Sequence, residues 1–239
     1  MNANQTIAVV GKDISADCIN TLSRLGFAVR LLPECTSLGK GVDTHADLMM
    51  FPLDGTVFIY EAIARSLPGL CSDIKEKGYT ICLIPGAPSS EYPLDIGTNC
   101  LSVGKYIFSK NQYTATQIKE FAASHGYTAV NVNQGYSRCA ACPLGDHSLI
   151  TSDPSIKKAS MAVGIDVLTI SEGNISLRGF DHGFIGGTCG VFEDKIFFAG
   201  DITTHPDAED IVAFCAARGI TAVSLSDEPL RDIGSIFFF

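Results

Sequence analysis

Residues 124–129 read SHGYTA, a short stretch that joins the end of an amphipathic helix to the start of a β-strand. The glycine at its centre, Gly126, suits this join because glycine adopts the left-handed conformation that ends a helix without a Cβ clash. The same join occurs four more times along the chain, as RLGFAV (24–29), EKGYTI (76–81), AVGIDV (162–167) and ARGITA (217–222). The sequence is therefore predicted to be an internal repeat of five similar units.

A second recurring feature is a pair of apolar strands joined by a tight turn, placed before the next helix. Such pairs are predicted at residues 48–60, 100–109, 142–152 and 188–199, around the dipeptides Asp54-Gly55, Gly104-Lys105, Gly145-Asp146 and Glu193-Asp194. Short turns between alternating apolar runs indicate β-hairpins. Each unit, about 40–55 residues long, therefore combines a hairpin, a helix and a further strand.

Five near-equal α/β units are best accommodated in a ring, because closure removes exposed sheet edges. We predict a five-bladed α/β-propeller that forms a single domain over residues 1–239. The apolar segment GSIFFF (234–239) is expected to pair with the strand around residues 6–10, so that both chain ends contribute to one blade. The alternative is a doubly wound sheet, but that fold needs no hairpin in each unit, and the chain has no G-x-G-x-x-G motif.

The amino-acid composition argues against nucleic-acid binding and membrane binding. The chain has 239 residues, of which 46% are hydrophobic, and a formal net charge of −9. An acidic protein is poorly suited to a nucleic-acid groove, which needs clustered Lys and Arg, or to an anionic membrane surface. No run of about 20 apolar residues predicts a membrane span. Nine cysteines, an odd number dispersed through apolar segments, favour buried free thiols and a cytoplasmic location, because no export signal is recognised.

Two segments carry residues suited to chemistry. In DTHADLMMF (43–51), His45 and Asp47 alternate at the predicted start of a strand, so both side chains are expected on one face. In GYSRCAACPL (135–144), Cys139 could meet them at the centre of the ring. Cysteine, histidine and a carboxylate together provide a thiolate nucleophile, a proton shuttle and a group that binds a cation or orients the histidine. The alternatives are a redox pair or half of a zinc site at Cys139-x-x-Cys142.

At these residues the chain resembles the guanidine-modifying (pentein) superfamily, and the arginine deiminases most closely. The resemblance lies in His45-Ala-Asp47-Leu-Met-Met-Phe51, in Arg138-Cys139-Ala-Ala-Cys142-Pro143-Leu144, and in the segment from Thr98-Asn99 between them. It implies a pentein fold and attack of a cysteine thiolate on a guanidinium carbon through a covalent thiouronium intermediate. It also implies that Cys139 is the nucleophile, that His45 is the acid and base, and that Asp47, Asn99 and Arg138 bind substrate.

The chain departs from the family pattern in three places. Gly187 stands where the family has a substrate-binding Asp, and Asp181 is predicted to replace that carboxylate. Asp232 falls where the carboxylate partner of the histidine belongs. About 100 residues follow Cys139, although the family nucleophile lies near the C-terminus, so the ring is predicted to be circularly permuted.

The resemblance therefore predicts a cysteine-dependent hydrolase or transferase that acts on a C–N bond of a small cationic guanidine or amidine. No cofactor and no metal are predicted. The alternatives are a non-catalytic ligand-binding protein on the same scaffold, which the missing Asp favours, and a subunit-assembly role without a small ligand.

Overall fold

The computed structural model describes residues 5–239. In this range the strands form five three-stranded sheets. In chain order the strands are β1 (Ile7–Gly11), β2 (Ala28–Leu32), β3 (Met50–Leu53), β4 (Thr56–Tyr60), β5 (Thr80–Ile84), β6 (Leu101–Val103), β7 (Tyr106–Ser109), β8 (Thr128–Asn131), β9 (Ala141–Leu144), β10 (Ser148–Thr151), β11 (Asp166–Thr169), β12 (Cys189–Phe192), β13 (Lys195–Phe198), β14 (Thr221–Ser224) and β15 (Phe237–Phe238).

The helices lie between the second and third strands of the sheets, with the exception of one short helix, α5. They are α1 (Ala16–Arg24), α2 (Glu61–Ser66), α3 (Pro68–Glu76), α4 (Thr116–Ser124), α5 (Ser137–Ala140), α6 (Pro154–Ala162) and α7 (Ala208–Ala216). Three 3₁₀ turns occur at Ala46–Leu48, Gly186–Thr188 and Ile202–Thr204.

All five sheets follow one plan. In the sheet β3-β4-β5, the central strand β4 pairs antiparallel with β3, at Phe51 and Phe58, and parallel with β5, at Phe58 and Cys82. The other sheets repeat this order of one antiparallel and one parallel pair. The predicted hairpin, helix and strand unit is therefore present five times, which confirms the five-bladed α/β-propeller.

The two chain ends share one sheet. The last strand, β15, pairs antiparallel with β1, with Ala8 opposite Phe238 and Val9 opposite Phe237. Phe238 also packs against the rings of Phe27, Phe192 and Phe197, so the first and fifth sheets meet through aromatic contacts. This pairing is the one that the ring requires. That residues 1–239 form a single domain stays a prediction, and residues 1–4 lie outside the described part of the chain.

The turns have the backbone conformations that the sequence predicts. The glycine that follows each predicted helix has a positive φ, at Gly26 (96°), Gly78 (87°), Gly126 (73°), Gly164 (80°) and Gly219 (71°). In the hairpin turn after β3, Asp54 and Gly55 have φ of 47° and 72°, the pair of positive values typical of a type I′ turn. At each of the glycines that follow a helix, the chain leaves the helix and turns into the third strand of the sheet.

Burial separates the central strands from the outer ones. Every residue of β1, β4 and β10 is buried, which explains the nearly continuous apolar runs of β1 and β4. The third strands are more exposed, and β8 has no buried residue. No helix within residues 5–239 combines the length and apolarity needed to cross a membrane; the cytoplasmic location stays a prediction.

Candidate active site

The predicted catalytic residues lie on the connections between neighbouring blades. Each connection leads from the third strand of one sheet to the first strand of the next, and together the five meet around one buried polar centre. His45 and Asp47 lie on 33–49, Asn99 on 85–100, Cys139 on 132–140, Gly187 on 170–188, and Asp232 and Ser235 on 225–236.

His45 and Asp47 precede β3 in a 3₁₀ turn, so the prediction that they alternate along a strand is wrong. The backbone N–H of Leu48 donates to the carbonyl of His45, and the backbone N–H of Asp47 donates to the carbonyl of Gly234 at 3.2 Å. The turn therefore takes its place from a contact with the last inter-blade connection, which local sequence does not reveal. Both side chains still reach the same centre, and both are buried.

Cys139 lies in the single turn of α5, where Asn99 holds it from a different blade. The side-chain oxygen of Asn99 accepts a hydrogen bond from the backbone N–H of Arg138 at 2.7 Å, and its Nδ2 donates to Cys139 Sγ at 3.3 Å. Asn99 and Cys139 are 0% and 2% exposed, respectively. Asn99 therefore positions the sulfur directly and supplies it with a hydrogen-bond donor.

Asp47 is the closest charged neighbour of the sulfur. Cys139 Sγ donates to Asp47 Oδ2 at 3.0 Å, and Ser235 Oγ donates to the same oxygen at 2.7 Å. The other oxygen, Oδ1, is buried without a hydrogen-bond partner in the described part of the chain. A ring nitrogen of His45, a carboxylate oxygen of Asp47 and the Sγ of Cys139 all lie within 4.8 Å of one another. A small cationic ligand with several N–H groups could therefore contact all three residues.

Asp232 is the second carboxylate of the centre. Its Oδ1 lies 3.9 Å from His45 Nε2, beyond hydrogen-bond distance, and accepts from the backbone N–H of Gly234 at 3.0 Å. Its Oδ2 accepts from the backbone N–H of Phe184 at 2.9 Å. Asp232 thus faces the histidine as the resemblance implies, although the ring Nδ1 of His45 has no partner among the described residues.

The glycine that replaces the family Asp has a steric explanation. A Cβ on Gly187 would lie 1.9 Å from Asp232 Oδ1, so the carboxylate of Asp232 occupies the space into which a side chain at 187 would point. Asp181, predicted to replace the missing acid, is exposed and takes part in no hydrogen bond or ion pair that the described structure contains. The carboxylate beside position 187 is that of Asp232, so the suggestion of Asp181 is revised.

Arg138 is hydrogen-bonded to backbone carbonyl groups through its guanidinium. Its guanidinium donates to the carbonyl of Gly186 at 2.9 Å and to that of Cys189 at 3.0 Å, and it is only 7% exposed. These bonds tie α5 to the connection before β12 and to the first residue of β12, in the next blade. The guanidinium is therefore engaged by backbone oxygens, and the predicted substrate-binding role of Arg138 is revised to that of a strut between blades.

Cys142 is separate from Cys139 in the fold. It lies on β9 within an apolar cluster that includes Cys189 and Cys215, whereas Cys139 contacts Asp47 and Asn99. The thiols of Cys139 and Cys142 thus have different neighbours. The arrangement gives no support to the redox pair or the zinc half-site that the C-x-x-C spacing left open.

The electrostatics of the centre follow from its burial. Desolvation raises the pKa of the Cys139 thiol well above its usual value, and the adjacent Asp47 carboxylate raises it further. Burial also raises the pKa of Asp47, whereas the nearby His45 and hydrogen bonds from Cys139 and Ser235 lower it. The pKa of His45 is lowered by burial. Without a bound cation, the centre therefore favours a neutral thiol and a neutral imidazole.

One of the two Asp47 oxygens that could ligate a metal ion already accepts hydrogen bonds. The donor types are compatible with a metal, but Asp47 Oδ2 already accepts hydrogen bonds from Cys139 and Ser235, which metal ligation through that oxygen would break. A guanidinium instead donates N–H groups, and the free Asp47 Oδ1 is an acceptor for them.

The model of a family of unknown function, DUF6873, matches residues 9–237. The chain belongs to this family. No curated protein matches the sequence of this DUF6873 member.

Solved structures show which fold the DUF6873 protein has. A DDAH from Pseudomonas aeruginosa in complex with citrulline is 11% identical with a TM-score of 0.57, and the match covers 93% of this chain and 92% of that one. An inosamine-phosphate amidinotransferase from Streptomyces griseus is 13% identical with a TM-score of 0.55, covering 90% and 74% of the two chains. A cyanobacterial arginine dihydrolase, ArgZ, is 11% identical with a TM-score of 0.54, covering 98% of this chain and 39% of that one.

These proteins share the pentein fold, and the resemblance inferred from the motifs is confirmed at the level of the fold. The order of the blades, predicted to be permuted, stays a prediction. Sequence reasoning assigned no role to Ser235, although its hydroxyl contacts Asp47. The only signal in the sequence was its position three residues after Asp232.

Proposed function

We propose that the DUF6873 protein catalyses substitution at the central carbon of a small guanidine or amidine, with Cys139 as the nucleophile. The observation that carries the proposal is the contact of 3.0 Å between Cys139 Sγ and Asp47 Oδ2, beside the unpartnered Asp47 Oδ1. A nucleophilic atom and a free anionic acceptor thus face the same point, with a histidine next to them. The names of the fold neighbours, which include amidinotransferases, a dimethylarginine dimethylaminohydrolase and an arginine dihydrolase, agree with this chemistry.

Binding of the cation is the first step. The guanidinium donates to Asp47 Oδ1, and its charge compensates the buried carboxylates of Asp47 and Asp232. Burial raises the pKa of Asp232 to about 6, so a bound cation also favours its ionised form. A buried charge is costly unless it is paired, and this cost gives the centre selectivity for cationic ligands over neutral ones.

Activation of the nucleophile depends on that cation. Burial and, after it, the adjacent Asp47 carboxylate raise the pKa of the Cys139 thiol and so disfavour its ionisation. A positive charge placed between the two groups reverses this effect, and the thiol proton passes to His45, which becomes an imidazolium. Asn99 Nδ2, 3.3 Å from the sulfur, donates a hydrogen bond to the resulting thiolate.

The chemical steps then balance as follows. The sulfur of Cys139 forms a bond to the guanidinium carbon, and the C–N bond to the leaving amine breaks as His45 gives that nitrogen a proton. Water, or an acceptor amine in a transferase, attacks the thiouronium carbon and transfers a proton to His45. The S–C bond breaks, and the departing thiolate takes that proton back from His45, so that the thiol and the neutral imidazole are both regenerated. Asp232, which faces His45, stabilises the imidazolium formed in each cycle.

The test combines turnover with detection of the intermediate. A panel of guanidines and amidines is incubated with wild-type protein and with the C139S variant, and ammonia or amine release is measured. Rapid acid quenching and intact-mass measurement then detect a covalent adduct, which peptide mapping should place on Cys139. Turnover by C139S at the wild-type rate, or an adduct on another residue, would refute the assignment.

The second candidate is a ligand-binding protein without turnover. It is favoured by the burial of Cys139, which is 2% exposed, and by the distance of 3.9 Å between His45 and Asp232. Under this alternative, guanidines raise the melting temperature of wild-type and C139S proteins alike, and no amine is released. The same panel therefore distinguishes the two functions.

A further inference from the structure

Ser235 has a backbone conformation that a serine adopts only at some cost. Its φ is 74°, in the left-handed region, where glycine is the residue with the least strain. It follows Gly234, which also has a positive φ, and the side chain of Ser235 is completely buried. Non-glycine residues in such conformations persist where surrounding contacts hold them, often at functional sites. The contacts of the hydroxyl are therefore the place to find its role.

The hydroxyl of Ser235 lies between an anion and a carbonyl. Its Oγ is 2.7 Å from Asp47 Oδ2 and 3.2 Å from the carbonyl oxygen of Gly186. A hydroxyl has one proton, and the shorter contact to the charged acceptor receives it. The backbone N–H of Ser235 donates to the carbonyl of Gly187 at 2.9 Å. This hydrogen bond fixes the backbone position from which the hydroxyl extends.

The chemistry proposed for Cys139 changes the surroundings of Asp47 Oδ2. In the free protein this oxygen accepts from both Cys139 Sγ and Ser235 Oγ. Once the sulfur is bonded to the substrate carbon, it has no proton to donate. Among the described side-chain hydrogen bonds, the one from Ser235 then remains on that oxygen.

We propose that Ser235 is a positioning residue of the cation site, whose hydroxyl orients Asp47 and keeps its carboxylate hydrogen-bonded after Cys139 has reacted. This inference rests on the proposed function. In this role Ser235 favours the binding of cationic ligands through Asp47, and it forms no bond with the substrate during the reaction. Loss of the hydroxyl should therefore weaken reactions that need the Asp47 anion and spare those that need only the sulfur.

The experiment compares two alkylating reagents of the same shape, cationic 2-chloroacetamidine and neutral 2-chloroacetamide. Second-order rate constants for modification of Cys139 are measured by intact mass and peptide mapping at pH 7.5. Ser235→Ala removes the hydroxyl, and Ser235→Gly removes it while relieving the backbone strain. Ser160→Ala is the matched control, because Ser160 is fully buried in α6 and its hydroxyl has no hydrogen-bond partner within residues 5–239.

We expect both Ser235 variants to lower the ratio of the cationic to the neutral rate by about tenfold or more, the size expected for a hydrogen bond to a charged group. The Ser160 control should retain the wild-type ratio. An unchanged ratio in the Ser235 variants, or an equal loss with both reagents, would overturn the proposal and leave Ser235 a structural residue. If the wild type itself shows no preference for the cation, the cation site and the proposed function fail instead. Agreement between the Ala and Gly variants excludes backbone strain as the cause.

Discussion

Replacement of Asp47 by Asn is the sharpest test of how the thiol is controlled. The substitution keeps the shape and an acceptor for the thiol but removes the charge from a point 3.0 Å from Cys139 Sγ. Two unit charges at 3.0 Å and an effective dielectric constant of about 20 repel each other by about 5 kcal/mol. A tenfold change in thiolate population corresponds to about 1.4 kcal/mol. A quarter of this repulsion therefore suffices for a tenfold effect.

The Asp47→Asn variant should therefore show opposite changes with the two reagents. Neutral 2-chloroacetamide should modify Cys139 at least about tenfold faster than in the wild type at pH 7.5, because the pKa of the thiol falls when the adjacent charge is removed. The preference for 2-chloroacetamidine should disappear, because the anion that holds the cation is lost. The rates are followed by intact mass, with peptide mapping to assign the modified cysteine.

A matched control is Asp95→Asn, which neutralises another buried carboxylate. Asp95 accepts a hydrogen bond from Tyr136 at 2.7 Å and makes no hydrogen bond with Cys139 in the described structure. We expect both of its rates to stay within about threefold of the wild type. A neutral-reagent rate in Asp47→Asn that equals or falls below the wild-type rate would refute the conclusion that Asp47 suppresses ionisation of the thiol.

Three further outcomes are expected. Burial raises the pKa of Asp232 from 3.8 to about 6, so its protonated form stabilises the fold fully below pH 4, and this contribution is lost as the pH rises through 6. The unfolding free energy of Asp232→Asn relative to wild type should thus increase by about 2 kcal/mol from pH 4 to pH 7, and urea titrations showing a constant difference would contradict this. Gly187→Ala should destabilise by about 2 kcal/mol or more through its clash with Asp232. Adding Asp232→Gly should recover part of the lost unfolding free energy. Strictly additive effects of the two substitutions would disprove that a side chain at 187 and Asp232 compete for the same volume. Deletion of residues 236–239 removes three buried side chains worth roughly 2 kcal/mol each, those of Ile236, Phe237 and Phe239, and should abolish soluble folded protein; an unchanged melting temperature would contradict the strand pairing of the chain ends.

The blade plan could be predicted because it depends on local chemistry. Gly126 ends a helix at a positive φ, and Asp54-Gly55 turns a hairpin, whatever the rest of the chain does. Five repeats of the same signals then leave few topologies that bury every apolar strand. The candidate residues Cys139 and His45 could be found because the motifs that carry the resemblance to the pentein superfamily are each contiguous in the sequence.

The details of the site depend on contacts between blades. Residues 47 and 235 are 188 positions apart, and their hydrogen bond exists only because the last connection of the ring returns to the first. The resemblance to the pentein superfamily implies a substrate-binding role for Arg138, but carbonyl oxygens of the neighbouring blade accept the hydrogen bonds of its guanidinium.

The sequence by itself thus determined the repeat, the strand and helix boundaries that glycines set, and the identity of the nucleophile candidate. Only the tertiary structure decided which carboxylate occupies the space beside Gly187 and which hydroxyl supports Asp47. The physical reason is that secondary-structure propensity and hydrophobic periodicity depend on residues that are close in sequence. Side-chain packing depends instead on contacts between residues that are far apart in sequence. A Cβ at 187 and the carboxylate of Asp232 exclude each other at 1.9 Å, and such an exclusion is visible only when both residues have been placed in one ring.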